Sequence, residues 1–145
     1  MILPDFKGFP HSGRVLGIDW GARRVGVAVS DDARQIVFVR PVVDGTKSVE
    51  AVAQIIRDDK ISGVVVGLPL WSDGSESETT NQVRAFADNL SKITDVPIAF
   101  IDETLSSHFA QESMGRVRVR DIKEKLDSES ARLILENALA LIARQ

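Results

Sequence analysis

Three acidic residues, far apart in the chain, carry the strongest chemical signal in the sequence. Asp19 closes an apolar run, Glu103 closes another with Asp102 beside it, and Asp127 stands just before a third apolar segment. A carboxylate at such a position costs free energy unless it is paired, hydrogen-bonded or bound to a metal ion. Mg²⁺ takes oxygen ligands, keeps several waters and is commonly held by one or two carboxylates together with substrate phosphate. The residue types therefore predict a divalent-cation site with room for a phosphate.

Each acidic residue also has an ordinary structural interpretation. Asp19 could close a turn with the backbone of Gly21. Asp127 could cap the start of a helix, and Glu103 could pair with an arginine. Three carboxylates brought to one place repel each other strongly unless a cation lies between them. Joint placement at one edge of a sheet would therefore favour the metal-binding interpretation.

The elements that must position these acids follow from the hydrophobic periodicity of the chain. Two β-rich runs around a short glycine-containing turn predict a hairpin, a third run extends it as an antiparallel meander, and two later apolar runs suit buried strands. Amphipathic spacing predicts the helices. The predicted strands are 15–20, 24–30, 35–43, 62–70 and 96–101. The predicted helices are 46–59, one that starts at a capping box of Ser75 and Glu78, 104–114, and about 127–143.

This order of elements predicts an α/β fold with a mixed five-stranded sheet, antiparallel over its first three strands and parallel over its last two, with helices on both faces. Right-handed crossovers place the fourth and fifth strands beside the first, which becomes central. Open α/β sheets bind ligands at the carboxyl ends of their strands, where Asp19 and Glu103 emerge. Asp127 precedes Ala131 by one turn on the buried stripe of the last helix. We therefore expect the three acids to converge at one edge of the sheet.

Length and composition narrow the class of protein. The 145 residues suit a single domain, which we expect at 14–145 after a loose leader at 1–13. There is no cysteine, and His11 and His108 lie far apart, which argues against thiolate chemistry and a structural zinc site. The net charge of −3 argues against tight non-specific binding to nucleic acid. No apolar window reaches the length of a membrane span and no signal peptide is evident, so we expect a cytoplasmic protein with no membrane partner.

Weaker signals mark residues that could contact a nucleic acid. The stretch "GLPLWSDG" at 67–74 leaves the fourth strand, and its glycines with the following helix start could hold a phosphate, while its tryptophan could stack on a base. The charged segment 115–125 is predicted to be a mobile loop or a short basic ribbon. Any of these residues could equally belong to an ordinary turn or a solvated surface. The candidate substrate-binding residues are Arg23, Arg24, Trp71, Ser72, Gly74, Ser75, Arg116, Arg118 and Arg120.

Four motifs, in this order along the chain, resemble those of a known family. They are "GIDWGARRVGVAVSD", "VVGLPLWSDGSESETTNQVRAFADNL", "IDETLSS" and "KLDSESARLILENAL", which together cover most of the chain from Val15 to Leu139. They look like the bacterial pre-16S ribosomal RNA nucleases, also called the Holliday junction resolvase-like family. The resemblance implies a ribonuclease-H-like fold and hydrolysis of phosphodiester bonds with Mg²⁺ or Mn²⁺, as one or two ions. It also implies that Asp19, Glu103 and Asp127 form an acidic triad.

The same resemblance implies the substrate and the partners. It indicates processing of precursor 16S ribosomal RNA at the 5′ end, by a monomer or a homodimer that binds nucleic acid. Two positions depart from the family pattern. Thr104 follows the Asp-Glu pair where the family often has arginine, and Trp71-Ser72 stands where it often has Asn-Met. Neither position belongs to the triad.

Three alternatives stay open at the level of sequence. The same chemistry could resolve Holliday junctions in DNA. The chain could instead be a non-catalytic RNA-binding or ribosome-assembly factor, although the intact acidic triad argues against this. The hairpin "GIDWGARRVGVAVSD" also looks like the phosphate-binding hairpin of sugar kinases and actin-like ATPases, which need a second domain that 145 residues do not supply.

Overall fold

The computed structural model describes residues 1–104 and 119–145, and it describes only the backbone of Thr104 and of residues 119–127. The predicted helix at 104–114, apart from Thr104, lies outside the described residues. Within the described part of the chain, every helix is too short or too polar to cross a membrane.

Five strands form one mixed sheet with the first strand at its centre. They are β1 (Arg14–Asp19), β2 (Arg24–Ser30), β3 (Val37–Asp44), β4 (Ile61–Leu70) and β5 (Ile98–Thr104). Their order across the sheet is β3-β2-β1-β4-β5. The first three pair antiparallel, whereas β4 pairs parallel with both β1 and β5. The predicted fold class is confirmed in the order and the direction of its strands.

Helices cover both faces of this sheet because the strands are apolar on both sides. Val25, Val27 and Val29 of β2 face a core shared with the first two helices, while Ala28 faces the last helix. That last helix packs across β1, β2 and β3. The helices are α1 (Ser48–Asp58), α2 (Glu78–Ser91) and α3 (Val119–Ala143).

The last helix is longer than the sequence pattern predicts. α3 begins at Val119 and not near residue 127, so the predicted loop or basic ribbon is wrong for residues 119–125. This stretch lacks a regular apolar stripe, but it is rich in Lys, Arg and Glu, which are good helix formers. Asp127 therefore lies in the interior of a helix and is not its N-cap.

α2 is capped by a different pair of residues than the predicted one. Ser77 is the N-cap, and its hydroxyl accepts a hydrogen bond from the Thr80 amide at 3.2 Å. Thr80 Oγ1 in turn accepts from the Ser77 amide at 2.8 Å, which completes the capping box. The predicted box of Ser75 and Glu78 is wrong, because Ser75 is bound within the preceding turn by Asp73.

Residues 1–13 pack against the sheet instead of forming a loose leader. The Leu3 amide donates to the Ile98 carbonyl at 2.7 Å, at the outer edge of β5. Phe9 is 1% exposed and lies over Gly63 of β4, where a Cβ would meet its ring at 2.6 Å. The segment shows no periodicity that could have predicted this burial, since the contacts are made one residue at a time.

Candidate active site at the carboxyl end of the sheet

Glu103 lies on the face of β5 that α3 covers. A Cβ built on Gly67 of the neighbouring strand β4 would lie 2.9 Å from Glu103 Oε2 and 2.5 Å from Cδ1 of Ile134 in α3. Because both atoms approach the same point, the Glu103 carboxylate rests over the bare backbone of Gly67, beside Ile134. We call this space the Gly67 notch.

Asp19 reaches the same face from the other side of β4. α3 covers Gly17 so closely that a Cβ there would meet the helix at 2.7 Å, and Asp19 follows Gly17 by two residues on the same face of β1. The parallel pairing of β1 with β4, extended by one residue beyond Ile18, places Asp19 beside Gly67. Asp19 and Glu103 therefore flank Gly67, one on each side of β4.

The surroundings of Glu103 disfavour the ionised form of its carboxyl group. Glu103 is half-buried, and this burial raises the pKa of its carboxyl above the ordinary value, because apolar atoms replace the water that would solvate the charged form. A bound cation would reverse the effect by stabilising the ionised carboxylate. Groups whose pKa is shifted by burial cluster at functional sites, so Glu103 is a candidate for function.

Asp102 lies on the opposite face of β5 from Glu103. Successive strand residues alternate between faces, and Asp102 is exposed whereas Glu103 is half-buried. Both belong to β5, which continues to Thr104, so Glu103 lies at the end of the strand as the sequence predicts, and only the predicted bound at residue 101 is too short. Of the two acids, the structure brings only Glu103 to the Gly67 notch.

Asp127 occupies a backbone position that suits the same place, although its side chain is not described. α3 crosses Gly17, where a Cβ would lie 3.1 Å from the Ala131 carbonyl oxygen. The last turn of α3 lines a cavity with the segment that precedes β1, so the helix runs in the opposite direction to β1. Asp127 precedes Ala131 by about 6 Å along the helix, and Asp19 follows Gly17 by about 7 Å along the strand. Among the residues whose side chains are described, no group of three His, Cys, Asp or Glu could hold a metal ion. The acidic triad thus stays a prediction.

The hairpin turn between β1 and β2 carries two of the predicted phosphate contacts. Arg23 is exposed in the turn, and Arg24 is half-buried at the start of β2. Both lie at the end of the sheet where Asp19 emerges. Of the other candidate arginines, Arg120 belongs to α3, and Arg116 and Arg118 lie outside the described residues.

The turn after β4 is closed by its own hydrogen bonds. The Trp71 amide donates to the Ser75 carbonyl at 3.0 Å, and the Gly74 amide donates to the Trp71 carbonyl at 2.8 Å. Asp73 accepts from the Ser75 hydroxyl at 2.6 Å and from its amide at 2.9 Å, and these bonds lower the pKa of the Asp73 carboxyl. The Ser75 amide is therefore engaged by a carboxylate, which disfavours a phosphate there. Trp71, by contrast, is 51% exposed, and Ser72 beside it is exposed too.

Two residues take roles that the sequence does not predict, namely Gly67, which it suggests only as part of a phosphate-holding turn, and Ile134. A glycine inside a buried strand often marks the close approach of another group, so Gly67 carries a usable signal. Ile134 carries none, because its spacing on α3 is that of any core residue.

Comparison with known proteins places the chain in a family. A sequence model of the family described as "RuvX: Holliday junction resolvase" matches residues 13–141. A protein of Maridesulfovibrio salexigens named "Putative pre-16S rRNA nuclease" is 40% identical over 132 residues, which cover 88% of this chain and 98% of that relative. A protein of the same name from Paracoccus denitrificans is 37% identical over 138 residues, which cover 92% of this chain and 87% of the relative.

Among solved structures, T. thermophilus RuvC in complex with Holliday junction substrate aligns at a TM-score of 0.46 and 15% identity, over 62% of this chain and 64% of that chain. The match to the family and to its named members is far more extensive, and it confirms the resemblance inferred from the four motifs. The chain belongs to the RuvX family of nucleases, enzymes that hydrolyse phosphodiester bonds.

Proposed function

We propose that this chain is a metal-dependent nuclease that matures the 5′ end of precursor 16S ribosomal RNA, with Asp19, Glu103 and Asp127 as its metal ligands. One observation carries the proposal. Asp19 and Glu103 flank the bare backbone of Gly67 on one face of the sheet, at the carboxyl ends of β1 and β5. The names of the relatives supply the class of substrate.

The residues around the Gly67 notch suit a hard divalent cation, Mg²⁺ or Mn²⁺. Two carboxylates offer oxygen ligands from the strands on either side of β4, and the missing side chain of Gly67 lets the Glu103 carboxylate lie over β4. A cation would offset the desolvation that raises the pKa of Glu103. Asp127 would complete the set from α3. When bound, one or two such ions supply activation of the attacking water and neutralisation of charge at the scissile phosphate.

The chain's own groups would hold and orient the RNA. Arg23 and Arg24 lie close enough to Asp19 to bind the backbone on one side of the scissile bond, and contacts of this kind set the register of a substrate. Trp71 directly follows β4 and presents an exposed aromatic face to an unpaired base. We assign further phosphate contacts to Arg116, Arg118 and Arg120.

The test is a cleavage assay with purified protein, precursor 16S RNA and four-way DNA junctions, in Mg²⁺, in Mn²⁺ and in chelator. We expect cleavage of the RNA near its 5′ end and no cleavage in chelator. Asp19→Asn should keep the fold and lower the rate by orders of magnitude, since it removes a ligand charge and preserves shape. Asp127→Asn should do the same.

The matched control is Asp102→Asn, which removes an equal charge one residue from Glu103 but on the opposite face of β5. It should leave the rate unchanged. A wild-type rate in Asp19→Asn would remove Asp19 from the site. An equal loss of rate in Asp102→Asn would show that cleavage depends on the overall negative charge at this edge of the sheet, and not on the carboxylate at the Gly67 notch.

Junction resolution is the second candidate, because the family description names a Holliday junction resolvase. It would use the same carboxylates on a different nucleic acid. Faster cleavage of the junction than of the RNA would replace the ribosomal proposal with this one. Binding without cleavage of either substrate, in any metal, would favour a non-catalytic assembly factor.

A further inference from the structure

We infer that Gly67 and Ile134 are positioning residues that together hold the Glu103 carboxylate at one place on the sheet. The inference rests on the proposed function, because it concerns the same site. It adds a requirement on residues that carry no charge and touch no substrate.

The geometry of the notch supports this role. Glu103 pairs with Pro69 across the β4–β5 ladder, yet its Oε2 lies over Gly67, two residues back along β4. The side chain therefore leans along the sheet beneath α3, where Cδ1 of Ile134 bounds the same point. A Cβ at position 67 would stand 2.9 Å from Oε2, which is closer than ordinary van der Waals contact, so the carboxylate would have to move.

A second glycine on β4 provides a matched comparison. Gly63 lies on the same face of the same strand, four residues earlier, which is about 13 Å away. A Cβ there would meet the ring of Phe9 at 2.6 Å, so the close approach at Gly63 serves packing alone. The two glycines thus face equally tight neighbours, and only Gly67 faces a carboxylate.

The experiment compares Gly67→Ala with Gly63→Ala in precursor RNA cleavage and in thermal unfolding. Gly63→Ala should lose stability because the buried ring of Phe9 must move as a whole, and Gly67→Ala should lose no more, because the atoms it meets are the ends of the Ile134 and Glu103 side chains. Only Gly67→Ala should lower kcat, by about 10- to 100-fold, because misplacing a reacting group by about 1 Å has this effect. KM for RNA should stay unchanged, and the Mg²⁺ concentration for half-maximal rate should rise. A full rate in Gly67→Ala, or an equal loss in Gly63→Ala, overturns the inference.

The double variant Gly67→Ala/Ile134→Val separates packing from positioning. Valine lacks the Cδ1 atom that an added Cβ would overlap most closely, at 2.5 Å, so stability should recover even if Gly67→Ala alone does not fold. The contact with Oε2 remains, so kcat should stay low. Recovery of the full rate together with stability would show that the glycine is needed only to avoid a clash with Ile134, and not to position Glu103.

A readout without metal or substrate keeps the two proposals apart. The side-chain carboxyl ¹³C resonance of Glu103, assigned by its disappearance in Glu103→Gln, should move in Gly67→Ala and stay in place in Gly63→Ala. If the wild-type protein cleaves nothing, the proposed function fails while this resonance still decides the positioning role. No movement, or equal movement in both variants, overturns that role.

Discussion

At Glu103, the requirements of stability and of chemistry oppose each other. The packing that places the Glu103 carboxylate beneath α3 also excludes water from it. This burial raises the pKa of Glu103 and penalises the charge that a metal ligand needs. Metal binding and folding should therefore be coupled at this residue, since a cation that binds the native state stabilises it by mass action.

This coupling makes the stability of the metal-free protein depend on pH. Because the pKa of Glu103 is raised in the folded state, its contribution is fully present below the unfolded pKa and is lost as the pH rises through the folded one. Glu103→Gln should therefore unfold at higher urea than the wild type at pH 7. The difference should shrink as the pH falls below the ordinary carboxyl range.

Urea titrations at several pH values, in chelator and in Mg²⁺, measure the effect. Mg²⁺ should reduce or reverse the advantage of Glu103→Gln, since only the wild type keeps the proposed ligand. An advantage that is constant from acid to neutral pH would mean that desolvation of Glu103 does not destabilise the fold.

At the scale of elements, the sequence predicts the interiors of strands and helices better than it predicts their ends. The alternation of Val25, Val27 and Val29 correctly predicts both faces of β2, because burial on a strand repeats every second residue. The cap of α2 is misplaced by two residues, because Ser75 and Ser77 carry the same hydroxyl and only the geometry of the turn decides which one caps. At the start of α3, helix propensity outweighs the hydrophobic pattern, because a charged stretch without an apolar stripe is helical all the same.

The observed capping box predicts how the two serines differ. Ser77→Ala should lower the free energy of unfolding by about 1 kcal/mol, because the Thr80 amide loses its acceptor. Ser75→Ala should change it by less than about 0.5 kcal/mol, since it removes only an exposed bond to Asp73. Chemical denaturation of both variants measures the difference. Equal losses would mean that the cap contributes nothing specific to α2.

For the whole molecule, the main prediction from sequence is right and its largest error is at the N-terminus. Patterns along the chain suffice for the sheet order, because the rules for connections between strands leave few alternatives. They do not predict that Phe9 is buried over Gly63, since that contact joins a segment without periodicity to a distant strand. The notch itself is also beyond sequence, because it depends on the lean of one side chain beneath one helix.

The proposed RNA substrate requires local positive charge, because the net charge of the chain is −3. Replacing Arg23 and Arg24 by Gln should weaken binding and lower the slope of log K against log salt by about 0.7–0.9 for each phosphate that is no longer neutralised. Lys92→Gln is the control, since Lys92 is exposed at the end of α2, away from the carboxyl edge of the sheet. Anisotropy with labelled RNA on an Asp19→Asn background measures binding without cleavage. Identical slopes would place the RNA elsewhere.

The position of β4 between β1 and β5 has a consequence for the time at which activity arises. β2 pairs with β1 and with β3, the strands that precede and follow it in the chain. β4, by contrast, pairs with β1, from which it is separated in sequence by β2, β3 and α1. Distant pairings form late because closing a long loop costs entropy. In pulse-labelled hydrogen exchange, amides of the β1–β2 hairpin should be protected before those that join β1 to β4, and simultaneous protection would contradict this order. Asp19 and Glu103 lie on opposite sides of β4, so the proposed site should assemble only after β4 has paired with both β1 and β5.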